Sequence, residues 1–271
     1  GYARHYKYLR AKTVVFPKEL SVQKRISDLL SKYDALIDNN IKRAQLLEQS
    51  MLTLFKEWFV YLRFPNHQHS VFVDGVPADW SSSRLIDLAS ITMGQSPKSQ
   101  YYNSKGNGLP FHQGVSGFGF RFVRHATFCS KITRVAQKGD VLFSVRAPVG
   151  RLNVASETIV MGRGLSALRS RTGRNSFLFY LLKSHFYREN LIGHGAIFAA
   201  VTKKRLEEIR LMTPSAKLQD RFEDLAGAVD LQIWNLEQQN QRLSKMRDML
   251  LHKLVNGNSS VFTCSEAGRC E

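Results

Sequence analysis

VQKRISDLLSKYDALIDNNIKRAQLLEQSMLTLFKEW, residues 22–58, is the stretch on which the fold turns. Val22, Ile26, Leu29, Tyr33, Leu36, Asn40, Ala44, Leu47, Met51, Leu54 and Trp58 recur at spacings of three and four. That periodicity predicts an amphipathic helix with a narrow, coiled-coil-like seam. Pro17 precedes it and Pro65 follows it, and proline bounds helices at such positions. At about 1.5 Å per residue the helix spans roughly 55 Å. This length is excessive for a compact core and suits a spacer.

A second helix is expected after Pro214. Leu218, Phe222, Leu225, Val229, Ile233, Leu236, Asn240, Leu243, Met246, Leu250 and Leu254 form its seam, and Gly257 ends it. The two helices echo each other. At an offset of 196 residues, Gln23, Arg25, Leu29, Asp34, Ile37, Leu47 and Leu54 fall on Gln219, Arg221, Leu225, Asp230, Ile233, Leu243 and Leu250. Apolar coincidences on a seam are cheap; the Gln, Arg and Asp matches are less so. The chain therefore reads as a helix, a domain, and the same helix again. Helices leaving opposite ends of one domain pack most easily antiparallel. Asn40 and Asn240 lie on the seams, either as a buried pair that fixes register and partner number or as solvated gaps.

Charge marks the domain between them. Residues 80–205 hold 19 Lys and Arg against 4 Asp and Glu, a net +15 of the chain's +17. Ordinary surfaces mix both signs. A block this poor in carboxylates points to a polyanionic partner, most simply nucleic acid; the bland reading is a merely basic protein.

The 271 residues, 43% hydrophobic, suffice for one large or two medium globular domains. No apolar run reaches the length of a membrane span and no secretory leader is expected at the start. Cys129, Cys264 and Cys270 form neither a disulfide framework nor a zinc pattern, so a reducing, cytoplasmic setting is expected. Within the basic block, 139–146 and 158–161 read as strands, 177–190 and a run from Lys203 as helices, with dense Gly and Pro punctuation. The fold class is α+β: one mixed domain, 80–210, flanked by long helices, 18–62 and 211–257, that form an antiparallel coiled coil. Residues 63–79 read as a linker, 1–17 as the end of a preceding unit, and 258–271 as a disordered tail.

Several pieces resemble the specificity (S) subunit of type I restriction–modification systems over residues 1 to about 257. Pro77-Ala78-Asp79-Trp80 with Arg84-Leu85-Ile86-Asp87-Leu88 looks like the opening of a target recognition domain. Gly94-Gln95-Ser96-Pro97, Tyr101-Tyr102-Asn103 and Gly108-Leu109-Pro110-Phe111 are similar to the segment that follows. Gly139-Asp140-Val141-Leu142-Phe143-Ser144-Val145-Arg146-Ala147-Pro148-Val149-Gly150 looks like that domain's most recognisable strand, and Lys203 to Ile209 with Pro214 and Gln219 like its exit. The resemblance implies recognition domains that each read half of a bipartite DNA site. It also implies helices that space the halves and dock methylation subunits, which carry S-adenosylmethionine, beside a restriction subunit that cleaves DNA. This chain departs from the pattern in carrying one complete recognition domain. Residues 1–17 look like the remnant of another, and association of two copies through the long helices is expected.

No catalytic constellation is visible. The Gly-rich cofactor loop and the Asn/Asp-Pro-Pro-aromatic tetrapeptide of a base methyltransferase are absent, and Gly117-Phe118-Gly119-Phe120 lacks the third glycine. Asp87, Asp140, Glu157 and Glu189 are scattered, unlike the clustered acids of a metal-dependent nuclease. His67, His69, His112, His125 and His194 show no metal-ligand spacing. No cofactor is expected. The leading expectation is a non-catalytic DNA-recognition subunit; the alternatives are a stand-alone methyltransferase or nuclease, or a basic coiled-coil regulator. Candidate DNA contacts are Lys98, Lys105, Arg121, Arg124, Arg146, Arg163, Lys203 and Lys204 for charge, within a basic set that also holds Lys131, Arg134 and Arg151. Gln95, Ser96, Gln113, Tyr101 and Tyr102 supply hydrogen bonding and stacking. Phe118, Phe120 and Phe122 fit a strand's core face as well as a DNA contact, and Arg146 fits a structural role as well.

Overall fold

The computed structural model describes Arg10, residues 17–188 and residues 200–255. Most of the stretch read as a remnant, the tail 258–271, His194, Cys264 and Cys270 lie outside the described residues. The chain divides into two compact units, Leu46–Trp234 and the pair Gly1–Gln45 with Asn235–Glu271.

Two helices of forty residues each, α1 (Leu20–Phe59) and α5 (Ala216–Val255), run through both units. They start alike. Gln23 Nε2 donates to the Pro17 carbonyl and Gln219 Nε2 to the Pro214 carbonyl, each at 2.7 Å. A carbonyl left behind by the chain's entry into the helix thus gains a partner, and the Gln match in the repeat acquires a cause. In the unit formed by residues 1–45 and 235–271, Asp34 meets Arg247 at 2.7 Å and Asn40 meets Asn240 at 3.0 Å. Numbers rise along one helix as they fall along the other, so the pair is antiparallel. Ile26, Asn40 and Ala44 are buried in it, with Leu236 and Leu254 from the other helix.

The second unit holds the strands β1 (Phe72–Val73), β2 (Val76–Pro77), β3 (Ser81–Arg84), β4 (Ala89–Met93), β5 (Tyr102–Asn103), β6 (Leu109–His112), β7 (Phe128–Cys129), β8 (Val135–Ala136), β9 (Val141–Ser144), β10 (Leu152–Val154), β11 (Ile159–Met161), β12 (Leu165–Ser170) and β13 (Arg210–Thr213). Between them lie the helices α2 (Leu85–Leu88), α3 (Asn175–Arg188) and α4 (Lys203–Glu207). An antiparallel sheet has the order β10-β9-β12-β4; a mixed one has the order β5-β7-β6-β11-β8, with β6 and β11 parallel. The stretch 63–79 carries a 3-10 turn, His67–His69, and the β1–β2 hairpin.

Strand β9 explains the two-layer core. Val141-Leu142-Phe143 is apolar throughout because both its faces are buried. Val141 and Phe143 enter the large cluster with α1, α3 and α5, while Leu142 points into a second cluster with Val123, Ile159, Met161 and Leu165. Strand β12 alternates likewise, with Leu168 in the first cluster and Leu165 and Ala167 in the second. Aromatic side chains fill the first cluster: the Phe222 ring lies 5.4 Å from both Phe55 and Phe59 and 5.7 Å from Tyr180. Glu223 of α5 accepts the Ser176 and Phe177 N–H groups, satisfying donors that α3 leaves open at its N-terminus. Phe118 packs against the second cluster, and Phe122 meets Trp234 edge-on at 5.0 Å.

Candidate nucleic-acid interface

Three backbone turns meet at one edge of the basic domain: 94–97 leaving β4, 112–114 leaving β6, and 161–164 between β11 and β12. Gly94 N donates to Leu165 O, Gln95 N to Met161 O, Gly162 N to His112 O and Gly164 N to Gln113 O, at 2.8–3.1 Å. Glycine is required by this closeness. A Cβ on Gly94 would stand 2.2 Å from the Gly162 carbonyl oxygen, and one on Gly162 would stand 2.6 Å from Gln113 Oε1. Ser96 Oγ donates to Gln113 Oε1 at 2.9 Å and accepts the Arg163 N–H at 3.0 Å. Gln95, Gln113 and Arg163 are left exposed along the seam, with Ser96 half-buried between them.

Hydrogen bonds continue the edge in both directions. Thr133 Oγ1 donates to Gln95 O and Met161 N to Arg134 O, each at 2.8 Å, which brings exposed Lys131 and Arg134 beside the seam. Sequence reading does not single out Thr133, because a lone Thr in a loop carries no pattern. On the other side, Val145 N donates to Gly164 O and Val201 N to Val145 O, and Arg146 bridges Ala200. This leads to Lys203 and Lys204 at the start of α4, where Thr202 Oγ1 accepts the Arg205 N–H. Lys203 and Lys204 lie 3.4 and 3.9 Å from Glu207 and Glu208. Arg124, Arg146 and Arg163 are exposed and have no carboxylate partner among the described residues. The structure therefore brings Gln95, Ser96, Gln113, Arg146, Arg163, Lys203 and Lys204 along one hydrogen-bonded path. Amides and guanidinium groups there can offer paired donors and acceptors to base edges, and the flanking cations can meet phosphates.

Of the remaining candidates, Lys98 and Tyr102 adjoin the 94–97 turn. Tyr102 stacks on Phe111 with ring centroids 4.4 Å apart and donates its hydroxyl to Pro97 O at 2.8 Å, so its ring is used in packing. Tyr101 carries Lys131 Nζ at 5.2 Å from its ring centre. Lys98 and Lys105 are exposed, Lys105 in a turn where Asn103 Oδ1 accepts two backbone N–H groups.

Arg121 departs from its reading as a DNA contact. Its side chain is wholly buried, 2.6 Å from Asp230 and 3.6 Å from Glu48, with its guanidinium carbon 3.3 Å from the centre of the Phe179 ring. Glu48 in turn binds Lys183. A guanidinium so enclosed has no surface to give a phosphate. In the sequence it looks like any other arginine of a basic block; only the Asp34–Asp230 match marks its partner.

Asp87 and Asp140 are engaged in local turn and cap contacts. Asp87 accepts from the Arg84 backbone and side chain, and Asp140 accepts the Gln137 N–H at 2.7 Å and Arg169 Nε at 2.6 Å. Burial raises the Asp140 carboxyl above its usual range, against those hydrogen bonds. Beneath Gln113, His112 Nε2 and His125 Nδ1 are 2.9 Å apart, and His125 Nε2 lies 3.0 Å from Ser156 Oγ and 3.2 Å from Glu157. Burial pushes His112 down to about 4, aided by the charge of His125, and lowers His125 against the pull of Glu157. Among the described residues no group of three or more His, Cys, Asp or Glu could hold a metal ion, and no helix is long and apolar enough to cross a membrane.

The family of type I restriction modification DNA specificity domains matches residues 77–244. The MjaX type I restriction enzyme specificity subunit of Methanocaldococcus jannaschii is 32% identical over 255 residues, covering 90% of this chain and 59% of that one. The crystal structure of the HsdS subunit from Thermoanaerobacter tengcongensis is 31% identical, with a TM-score of 0.52 over 88% of this chain and 58% of that one. The S subunit of M. genitalium, at 17% identity and a TM-score of 0.59, shares the fold over 87% of this chain and 61% of that one. The chain thus spans somewhat more than half the length of the relatives it matches. With the family's domain covering the whole of the basic block and most of α5, this chain belongs to the type I restriction modification DNA specificity domain family.

Proposed function

We propose that residues 80–205 read one half of a two-part site on double-stranded DNA, and that the chain serves as the recognition subunit of a methylating and cleaving complex. The observation that carries this is the exposed Gln95–Gln113–Arg163 seam set in a block of net charge +15. Direct readout falls to Gln95, Ser96, Gln113, Arg163 and Arg146. Phosphate contact falls to Lys98, Lys105, Arg124, Lys203 and Lys204, with Tyr101 and Tyr102 beside them. The chain itself transfers no methyl group and takes no cofactor. Methylation subunits dock on the helices, a restriction subunit joins them, and the assembly works in the cytoplasm.

A half-site alone discriminates poorly against the many competing sites of a genome. The second half is read by a second copy of this chain, related by a twofold axis, which makes the target an interrupted palindrome. Asn40, Ala44, Leu236 and Leu254 of the helix seams are buried within the chain, whereas Leu36 and Met246, read as seam residues from their spacing, are exposed, so the copies meet through these and Met249.

The test combines binding and methylome mapping. Binding that neutralises about six phosphates gives a slope of log affinity on log salt near −5. Methylation appears when a methylation subunit is added and maps to a symmetric, interrupted site. Salt-insensitive binding, or methyl transfer by the chain alone in proportion to its concentration, would overturn the reading. Strictly monomeric light scattering would overturn the second copy.

A further inference from the structure

We propose that Arg121 is a positioning residue: with Glu48, Asp230 and Lys183 it forms a buried clasp that fixes how the recognition domain presents its reading seam to the helices. This deepens the DNA-reading proposal and rests on it for its functional arm. All four residues lie within the unit 46–234. Glu48 belongs to α1, Asp230 to α5, Lys183 to α3, and Arg121 to the loop between β6 and β7.

The need for such a device follows from the rest of this contact. Phe55, Trp58, Phe59, Phe177, Tyr180 and Phe222 hold helix segments to domain by aromatic burial. Apolar attraction is nearly non-directional, so rings of this kind tolerate rotation and sliding. A buried ion pair does not. Arg121 is fully enclosed and Glu48 nearly so, and Arg121 Nη2 donates to Asp230 at 2.6 Å. Two cations face two carboxylates, one from each long helix, so the charges balance only when both helices stand in place. Displacing either leaves a buried charge unmatched, the situation in which such pairs enforce register rather than add stability. The planar fork of arginine adds direction, and its guanidinium carbon lies 3.3 and 4.9 Å from the ring centres of Phe179 and Tyr180.

The same loop reaches the seam. Residues 113–124 run from Gln113, on the reading edge, to Arg121 in the clasp. Internal hydrogen bonds stiffen the run: Phe118 N to Val115 O, Arg124 N to Gly117 O and Gly119 N to Phe122 O. Val154 N donates to Arg121 O and Asn153 Nδ2 to Gly119 O, which ties it to β10. An error in the clasp is thus handed to Gln113 through a short, braced segment.

The experiment places spin labels at Ser104→Cys and Leu231→Cys, both exposed, in the full chain with Cys264 and Cys270 changed to Ser. Pulsed EPR then reads the distance distribution between domain and α5. Arg121→Met with Glu48→Gln and Asp230→Asn removes the clasp nearly isosterically. The expected result is an unchanged melting transition with a distribution roughly twice as wide, the loosening that follows when the shell supporting a site is removed. If that variant does not fold, Arg121→Lys decides: it keeps the charge, loses the fork, and is expected to broaden the distribution as well. A folded variant with the wild-type width overturns the clasp. Binding of a 40-base-pair duplex carrying the methylated site is measured in parallel and is expected to weaken about tenfold, with salt slope retained. Broadening without any change in DNA binding leaves the clasp standing and removes its role in reading, so the two failures are separable.

Discussion

Asn40 Nδ2 donates to Asn240 Oδ1 across the helix pair at 3.0 Å, and Asn240 Nδ2 donates to the Ile37 carbonyl at 3.2 Å. Asn40 is buried, so the seam asparagines form a paired polar contact rather than a solvated gap. A pair of this kind is satisfied in one register only.

Asn240→Leu alone is therefore expected to destabilise by about 1–3 kcal/mol, because it strips Asn40 of its better partner. Asn40→Leu with Asn240→Leu is expected to recover most of that loss while relaxing the register. Urea unfolding measures the first effect. Cross-linking of cysteines at Asp34 and Arg247 measures the second: it goes to completion in the wild-type background and drops in the double variant.

Phe222→Ala is expected to cost about 3–5 kcal/mol, since the ring is fully buried and shares edge contacts with Phe55, Trp58, Phe59, Phe177 and Tyr180. Leu231→Ala, on the exposed side of the same helix, is expected to stay within about 0.5 kcal/mol. Guanidinium unfolding of both variants gives the comparison.

Acid sensitivity is expected from His112, whose imidazole is held down to about 4. The unfolded chain takes up this proton near pH 6.5, so between about 6.5 and 4 it binds more protons than the folded chain. Stability is therefore full above about pH 6.5 and falls as pH drops towards 4, by roughly 3 kcal/mol from this group. Unfolding free energy measured from pH 7.5 to 4.5 should show that slope in the wild type and a flatter one in His112→Asn.

On DNA, Arg163→Ala and Lys203→Ala with Lys204→Ala should behave differently. Loss of a guanidinium on the seam is expected to cost about 1–3 kcal/mol on the cognate site and to relax the preference at one position. Loss of the two lysines is expected to weaken all sequences alike and to flatten the salt slope by up to about 2, less if the Glu207 and Glu208 pairs persist in the complex. Competition titrations at several salt concentrations separate the two patterns.

Local pattern sufficed for the long helices. Seam spacing of three and four, the bounding prolines and the 196-residue echo are properties of consecutive residues, and helix formation depends on neighbours at that range. The charge of the middle block was equally plain, because net charge is a sum that needs no coordinates. Val141-Leu142-Phe143 could be read as a strand, but not that its two faces serve two cores. The seam was beyond local reading for a different reason. Gln95, Gln113 and Arg163 come from three segments joined by long-range pairing, and proximity across such distances is set by sheet register alone. Arg121 shows the same limit from the other side. Its residue type and basic neighbourhood suit a phosphate contact, yet the packing of α1, α3 and α5 encloses it, and a buried guanidinium must find carboxylates instead. Sequence determined the helices, their repeat and the sign of the domain's charge; tertiary structure decided which arginine faces solvent and which is enclosed between the domain and its helices, because burial is a property of the whole packed chain.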